Sequence, residues 1–85
     1  MPQVHDNTAA RRFEMVESGH TVFADYRLSG ADLYIDHVES PQALRGSGAA
    51  GRFMQGLLAE AKARKLTIIP ICSYAAAWIA QHDVN

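Results

Sequence analysis

Alternating apolar and polar residues in the first half of the chain predict three β-strands. The apolar side of each run is formed by Phe13 and Met15, then by Val22, Ala24, Tyr26 and Leu28, and then by Leu33 and Ile35. A two-residue period of this kind places the apolar side chains on one face of a sheet. Ser18-Gly19 and Ser29-Gly30 separate the runs, and such short breaks are typical of hairpin turns. The pattern therefore predicts an antiparallel meander.

A single apolar stripe in the second half predicts a helix. Its members recur at spacings of three and four, at Ala50, Phe53, Met54, Leu57, Leu58 and Ala61. Residues 66–71 form an apolar run that suits a covered strand, and a short helix is predicted over residues 74–81. Because a strand, a helix and the next strand normally form a parallel pair, we expect the fourth strand to lie parallel to the third. The predicted class is α/β (α+β), with a mixed, mainly antiparallel sheet and the order β-β-β-α-β-α.

Size and composition restrict the class of protein. A chain of 85 residues fits one domain, which we assign to residues 11–85, with residues 1–10 as a flexible N-terminal tail. The net charge of -1 gives no basic field that would attract nucleic acid. No apolar run approaches the roughly 20 residues that span a bilayer. One cysteine, no apolar leader segment and no metal-ligand spacing predict a cytoplasmic protein without a metal site.

A glycine-containing loop precedes the predicted helix and is the strongest functional signal. Arg45 is followed by Gly46 and Gly48, and the apolar stripe begins at Ala50. Backbone N–H groups at a helix N-terminus form a cradle for anions, and glycine allows the backbone to approach a phosphate closely. An arginine at the start of the loop adds a charge-assisted contact. The loop therefore predicts a ligand that carries phosphate.

Three motifs together resemble the minimal, single-domain branch of the GNAT acetyltransferase superfamily. They are Asp36-His37-Val38-Glu39-Ser40-Pro41, Leu44-Arg45-Gly46-Ser47-Gly48-Ala49-Ala50 and Pro70-Ile71-Cys72-Ser73-Tyr74-Ala75-Ala76-Ala77-Trp78-Ile79. The resemblance runs from about residue 13 to residue 82. Val38, Ser40 and Ser73 depart from the Thr, Val and Pro that are usual in this branch.

The resemblance implies a compact GNAT-like fold in which the third and fourth strands splay apart and hold coenzyme A or acetyl-CoA. The pantetheine arm would bond to the backbone of the third strand at Val38, and the pyrophosphate would lie on the N–H groups of residues 45–50. Tyr74 would lie beside the cofactor, where its hydroxyl could protonate the leaving thiolate. The implied cofactor-binding residues are Val38, Arg45, Gly46, Ser47, Gly48, Ala49, Ala50 and Tyr74.

Three further residues are candidates for the chemistry. Acetyl transfer to an amine needs a group that takes the amine proton and a group that protonates the leaving thiolate. Period-two counting places His37 and Glu39 on the same side of the third strand as Leu33 and Ile35, so we predict that this pair accepts the proton. Cys72 follows the fourth strand, and the resemblance places it near the acetyl group, as a nucleophile or as an acid. His37, Glu39 and Cys72 are predicted to converge on one cleft.

The candidate site residues are open to other interpretations. His37 and Glu39 would equally suit a frayed strand end at the surface, Cys72 an inert buried thiol, and Tyr74 a core aromatic. The predicted function is an acetyl-CoA-dependent N-acetyltransferase that acts on a small amine or an exposed lysine, as a monomer or weak homodimer. The alternative is a CoA-binding module without turnover. A purely structural interaction domain would leave the glycine loop unexplained.

Overall fold

One five-stranded sheet forms the framework of the protein. The computed structural model describes residues 3–82, and its strands are β1 (His5–Asn7), β2 (Arg12–Glu17), β3 (His20–Ser29), β4 (Asp32–Glu39) and β5 (Thr67–Pro70). Their spatial order follows the chain, with antiparallel pairing from β1 to β4 and parallel pairing between β4 and β5. The predicted meander and the predicted parallel neighbour of its last strand are both confirmed.

Two helices complete the fold. A short 3-10 helix (Gln42–Leu44) leads into α1 (Ala49–Ala63), and α2 (Ser73–His82) follows β5. Residues buried on both helices belong to the same apolar cluster as those of the sheet, so α1 and α2 cover one face of it. Within residues 3–82, neither helix is long and apolar enough to cross a membrane.

The core lies between α1 and the covered face of the sheet. The stripe predicted for α1 is largely enclosed, since Phe53, Met54 and Leu57 are fully buried and Ala61 is almost fully buried. They contact alternating strand residues, which are Phe13, Met15, Val22, Ala24, Leu33 and Ile35. Full burial of a large apolar side chain contributes roughly 1.5–3 kcal/mol. This packing holds α1 in spite of Gly51 and Gly56, which lower its intrinsic stability.

The N-terminal segment corrects two sequence-based expectations. Residues 1–10 were expected to form a loose tail, but His5–Asn7 is a strand that pairs with β2, so the sheet begins one strand earlier than predicted. The strand is too short and too polar to show an alternating pattern. Side-chain contacts help to hold it against the rest of the fold. The Asp6 carboxylate accepts hydrogen bonds from the Tyr26 hydroxyl at 2.7 Å and from Arg64 Nη1 at 2.8 Å. Residues 1 and 2 lie outside the described residues.

The two glycines of α1 occupy different surroundings, which predicts opposite effects on stability. A Cβ at Gly56 would overlap Val4 Cγ2, and valine is rigid about χ1. We expect Gly56→Ala to destabilise the fold by on the order of 1 kcal/mol, because overpacking exceeds the gain in helix propensity. A Cβ at Gly51 would lie 3.6 Å from Trp78 Nε1, an ordinary contact, so Gly51→Ala should stabilise by up to about 1 kcal/mol.

Thermal denaturation of the two variants measures the contrast directly. The melting temperature should fall for Gly56→Ala and rise for Gly51→Ala. In a Val4→Ala background the contact with Cγ2 is removed and the nearest remaining atom is the residue-4 Cβ at 3.3 Å, so Gly56→Ala should then lower the melting temperature by much less. A Gly56→Ala variant that melts above the unsubstituted protein would contradict the close packing of Val4 on α1.

Candidate active site

The parallel pairing of β4 and β5 ends halfway along β4. The last paired residues are Ile35 and Pro70, and the Ile35 carbonyl then accepts the N–H groups of both Ile71 and Cys72 at 3.0 Å. β4 continues to Glu39, whereas the chain beyond Cys72 turns into α2. The two strands therefore part, and an opening forms between the end of β4 and the start of α2.

A pocket of about 280 Å³ lies at this opening. It gathers side chains from four elements, and its lining residues are Val38, Glu39, Ser40, Arg45, Ala50 and Tyr74. Five of these six were predicted as site residues from the sequence, and the pocket brings them together. Ser40 is the sixth, and it was not predicted to belong to the site.

The glycine loop presents unpaired backbone donors beside this pocket. Gly46 and Gly48 have φ angles of +81° and +85°, a left-handed conformation that glycine adopts without strain. The Ser47 N–H donates to the Leu44 carbonyl at 3.1 Å, and the Ser47 hydroxyl accepts the Ala49 N–H at 3.3 Å.

Several other N–H groups of this segment have no protein acceptor among the described residues. They belong to Gly46, Gly48, Ala50 and Gly51. The last two lie in the first turn of α1, where N–H groups have no partner within the helix. A cluster of unpaired donors at a helix N-terminus suits a pyrophosphate, so the residues present fit the phosphate-bearing group expected from the sequence.

A β-bulge corrects the predicted orientation of His37 and Glu39. The register between β3 and β4 shifts near Asp25, so Asp36 is an extra residue on β4. Beyond it, Val38 lies opposite the buried Ala24 and packs on the core. His37 and Glu39 therefore point to the opposite face from Leu33 and Ile35, because one extra residue reverses a two-residue count.

His37 and Glu39 act as a pair on this outer face. His37 Nε2 lies 2.9 Å from Glu39 Oε1, and both side chains are about half exposed. Glu39 lines the pocket, whereas His37 does not and reaches it only through its hydrogen bond to Glu39. The end of β4 therefore reaches the pocket at Glu39 and not at His37.

Cys72 and Tyr74 lie next to each other at the start of α2. The Cys72 thiol is half-buried and packs against the core cluster, and it is not among the residues that line the pocket. Tyr74 lines the pocket and is partly exposed. Burial raises the pKa of the Tyr74 hydroxyl above its usual value near 10, and the nearby Cys72 raises it further. Tyr74 consequently keeps its proton at neutral pH.

One contact of the loop was missed by the sequence analysis. Arg52 donates from Nη1 to the Ser47 carbonyl at 3.1 Å, and from Nε and Nη2 to the Glu17 carboxylate. Glu17 ends β2, 35 positions earlier in the chain. The available signal was a charged residue among the small and apolar residues that open α1, but nothing in the sequence indicated its partner.

Three other cavities within residues 3–82 contain none of the predicted site residues. The largest of the three, about 570 Å³, lies beside the β3–β4 hairpin, and its lining includes Arg11, Tyr26, Arg27 and Tyr34. The part of the chain that the structure describes contains no cluster of three or more His, Cys, Asp or Glu side chains that could hold a metal ion.

Comparison with known proteins agrees with the geometry. The model of a protein family described as GCN5-related N-acetyl-transferase matches residues 12–84. The search of curated proteins finds no match. The family match extends from β2 through α2 and includes the glycine loop, the end of β4 and the Cys72–Tyr74 segment. Because it covers most of the chain, the protein belongs to the GCN5-related N-acetyltransferase family.

Proposed function

We propose that this protein transfers an acetyl group from acetyl-CoA to an amine, with residues 11–85 as the acyl-CoA-binding domain. Family membership supports an acetyltransferase-type function. The observation that carries the proposal is the joint position of Arg45 from the loop, Ala50 from the first turn of α1, and Glu39 and Tyr74, all of which line one pocket. A phosphate-binding segment and two proton-transfer groups are what acetyl transfer requires.

In the proposed complex, the loop holds the cofactor by its pyrophosphate. The N–H groups of Gly46, Gly48 and Ala50 supply hydrogen bonds, and the Arg45 guanidinium supplies positive charge. Ser47 and Ala49 hold the loop in shape through their mutual hydrogen bond. The backbone near Val38 borders the opening left by β5 and is the proposed site for the pantetheine arm.

The proposed chemistry divides between the two walls of the pocket. Acetyl-CoA, when bound, supplies a thioester whose acyl carbon bonds to the amine nitrogen while its bond to sulfur breaks. Glu39 takes the proton from the amine directly or through water, and His37 holds that carboxylate by its hydrogen bond. On the other wall, the Tyr74 hydroxyl returns a proton to the leaving sulfur; the alternative donor is the Cys72 thiol, which lies just outside the pocket lining. Cys72 also remains a proposed nucleophile.

We expect Gly48→Ala to weaken acetyl-CoA binding by about tenfold or more, because a side chain at this left-handed position strains the loop that carries the N–H donors. Gly30→Ala is the matched control. Gly30 also has a positive φ, of +59°, but it lies in the β3–β4 turn, so its substitution should lower stability without changing affinity. Isothermal titration with acetyl-CoA measures both. Equal affinity in the two variants would place the ligand elsewhere.

Glu39→Gln should lower the turnover number by on the order of a hundredfold, because the amide keeps the size of the side chain but cannot accept the amine proton. Affinity for acetyl-CoA should stay within about twofold of the unsubstituted protein. Glu14→Gln is the control, since Glu14 lies on the same outer face of the sheet but away from the pocket. Steady-state transfer to a panel of amines is the assay. An unchanged turnover number in Glu39→Gln would exclude this carboxylate as the proton acceptor.

Tyr74→Phe and Cys72→Ala distinguish the two candidate donors of the proton that the leaving sulfur takes up. Each should cost about 1 kcal/mol or less in stability, because the removed groups are small and at the surface or only half-buried. The group that protonates the leaving sulfur should lower turnover by on the order of a hundredfold when removed. Transfer with saturating acetyl-CoA and thermal denaturation are measured on the same preparations. Acetylated protein in the mass spectrum, lost in Cys72→Ala, would identify Cys72 as the nucleophile.

A further inference from the structure

Arg52 connects the glycine loop to a distant hairpin. Its Nη1 donates to the Ser47 carbonyl at 3.1 Å, and its Nε donates to Glu17 Oε2 at 3.2 Å while Nη2 donates to Glu17 Oε1. The Glu17 side chain is only 18% exposed and that of Arg52 37%, so the two-point contact is partly shielded from water. Such bidentate pairs fix geometry as well as charge.

We propose that Arg52, held by Glu17, is a positioning residue that orients the Ser47–Gly48 peptide toward the cofactor. The inference rests on the proposed function. In a planar trans peptide the carbonyl and the following N–H point in opposite directions. A guanidinium that holds the Ser47 carbonyl therefore turns the Gly48 N–H to the other side of the loop, away from Arg52.

The loop needs this restraint because a glycine follows Ser47. A flip of the Ser47–Gly48 peptide rotates ψ of Ser47 and φ of Gly48, and glycine accepts both signs of φ, so its side of the peptide offers little resistance. A flipped peptide would direct a carbonyl instead of an N–H toward a phosphate. Arg52 gives the carbonyl a partner on one side only, and this favours the orientation that presents the donor.

The space around Gly48 is a second observation that fits this role. A Cβ at Gly48 would lie 3.0 Å from Arg52 Nη1, which is closer than ordinary contacts allow. The guanidinium thus occupies the volume that a side chain at residue 48 would need. A side chain at residue 48 would therefore displace the guanidinium by a few tenths of an ångström, and glycine itself is required at this position by its φ angle.

Arg52 differs in this respect from a residue that binds phosphate itself. Its charge is already compensated by Glu17, whereas Arg45 forms no ion pair within residues 3–82 and lines the pocket. The two roles predict different effects of removing the carboxylate. If Arg52 positions the loop, Glu17→Gln weakens cofactor binding; if Arg52 bound the phosphate, Glu17→Gln would leave binding unchanged or strengthen it.

The test compares Arg52→Gln and Glu17→Gln by isothermal titration with acetyl-CoA. Both should weaken binding by about tenfold, the usual worth of one hydrogen bond to a charged group, with the turnover number at saturation near that of the unsubstituted protein. In the apo protein, the Gly48 amide signal in the NMR spectrum should shift or broaden in both variants. Arg52→Lys keeps the charge but lacks the planar fork that holds Glu17 at two points while a third N–H bonds Ser47, so it should also bind weakly.

Arg64→Gln is the matched control. Arg64 lies at the other end of α1, is 40% exposed and bonds to the carboxylates of Asp6 and Glu60. Its removal should lower the melting temperature without changing affinity for acetyl-CoA or the Gly48 signal. Circular dichroism verifies that each variant folds. If Arg52→Gln does not fold, the two variants Glu17→Gln and Arg52→Lys test the role of Arg52 instead.

The outcomes separate this proposal from the proposed function. Absence of acetyl-CoA binding by the unsubstituted protein overturns the cofactor assignment and the role of Arg52 with it. Normal binding by the unsubstituted protein and by both variants overturns the role of Arg52 alone. Weak binding by Arg52→Gln with unchanged or tighter binding by Glu17→Gln shows that Arg52 touches the phosphate, which also overturns the positioning role.

Discussion

The hydrogen bonds at the Ile35 carbonyl are the constraint on which the rest of the structure depends. This oxygen accepts the N–H groups of Ile71 and Cys72 at 3.0 Å, and two donors on one acceptor end a regular ladder. The chain leaves the sheet there and enters α2, while β4 continues for four residues more. The separation of Glu39 from Tyr74, on facing walls of one pocket, follows from this single point of divergence.

Helix α1 brings its N-terminus to the same place because its apolar stripe packs against β2, β3 and β5. Phe53, Met54 and Leu57 are fully buried, so the helix cannot slide or rotate without opening the core. The two ends of α1 differ in the charged and polar groups that they carry. The N-terminal turn exposes unpaired N–H groups at the pocket, whereas Lys62 and Arg64 provide positive charge near the C-terminal carbonyls, where it is favourable.

The parts of this fold that could be predicted are those with a repeated pattern. Strands β2 to β4 and helix α1 have long runs of consistent spacing, and the three motifs placed the loop and the strand end beside one another. The errors have local physical causes. One extra residue at Asp36 reversed the facing of His37, and three polar residues were too few to reveal β1. Arg52 and Glu17 lie far apart in the chain, and no rule based on residue spacing predicts a contact between them.

Pro70 has a consequence for how this sheet meets other chains. Along β5 the N–H groups of Thr67 and Ile71 are directed to β4, so by the alternation of a strand those of Ile68 and residue 70 face the open edge. Proline has no N–H to offer, and Ile68 is left as the donor on that side of β5. An incoming strand finds one of the two N–H donors that this edge would otherwise offer. Pro70 therefore disfavours the pairing of a strand from another molecule with this short, isoleucine-rich edge.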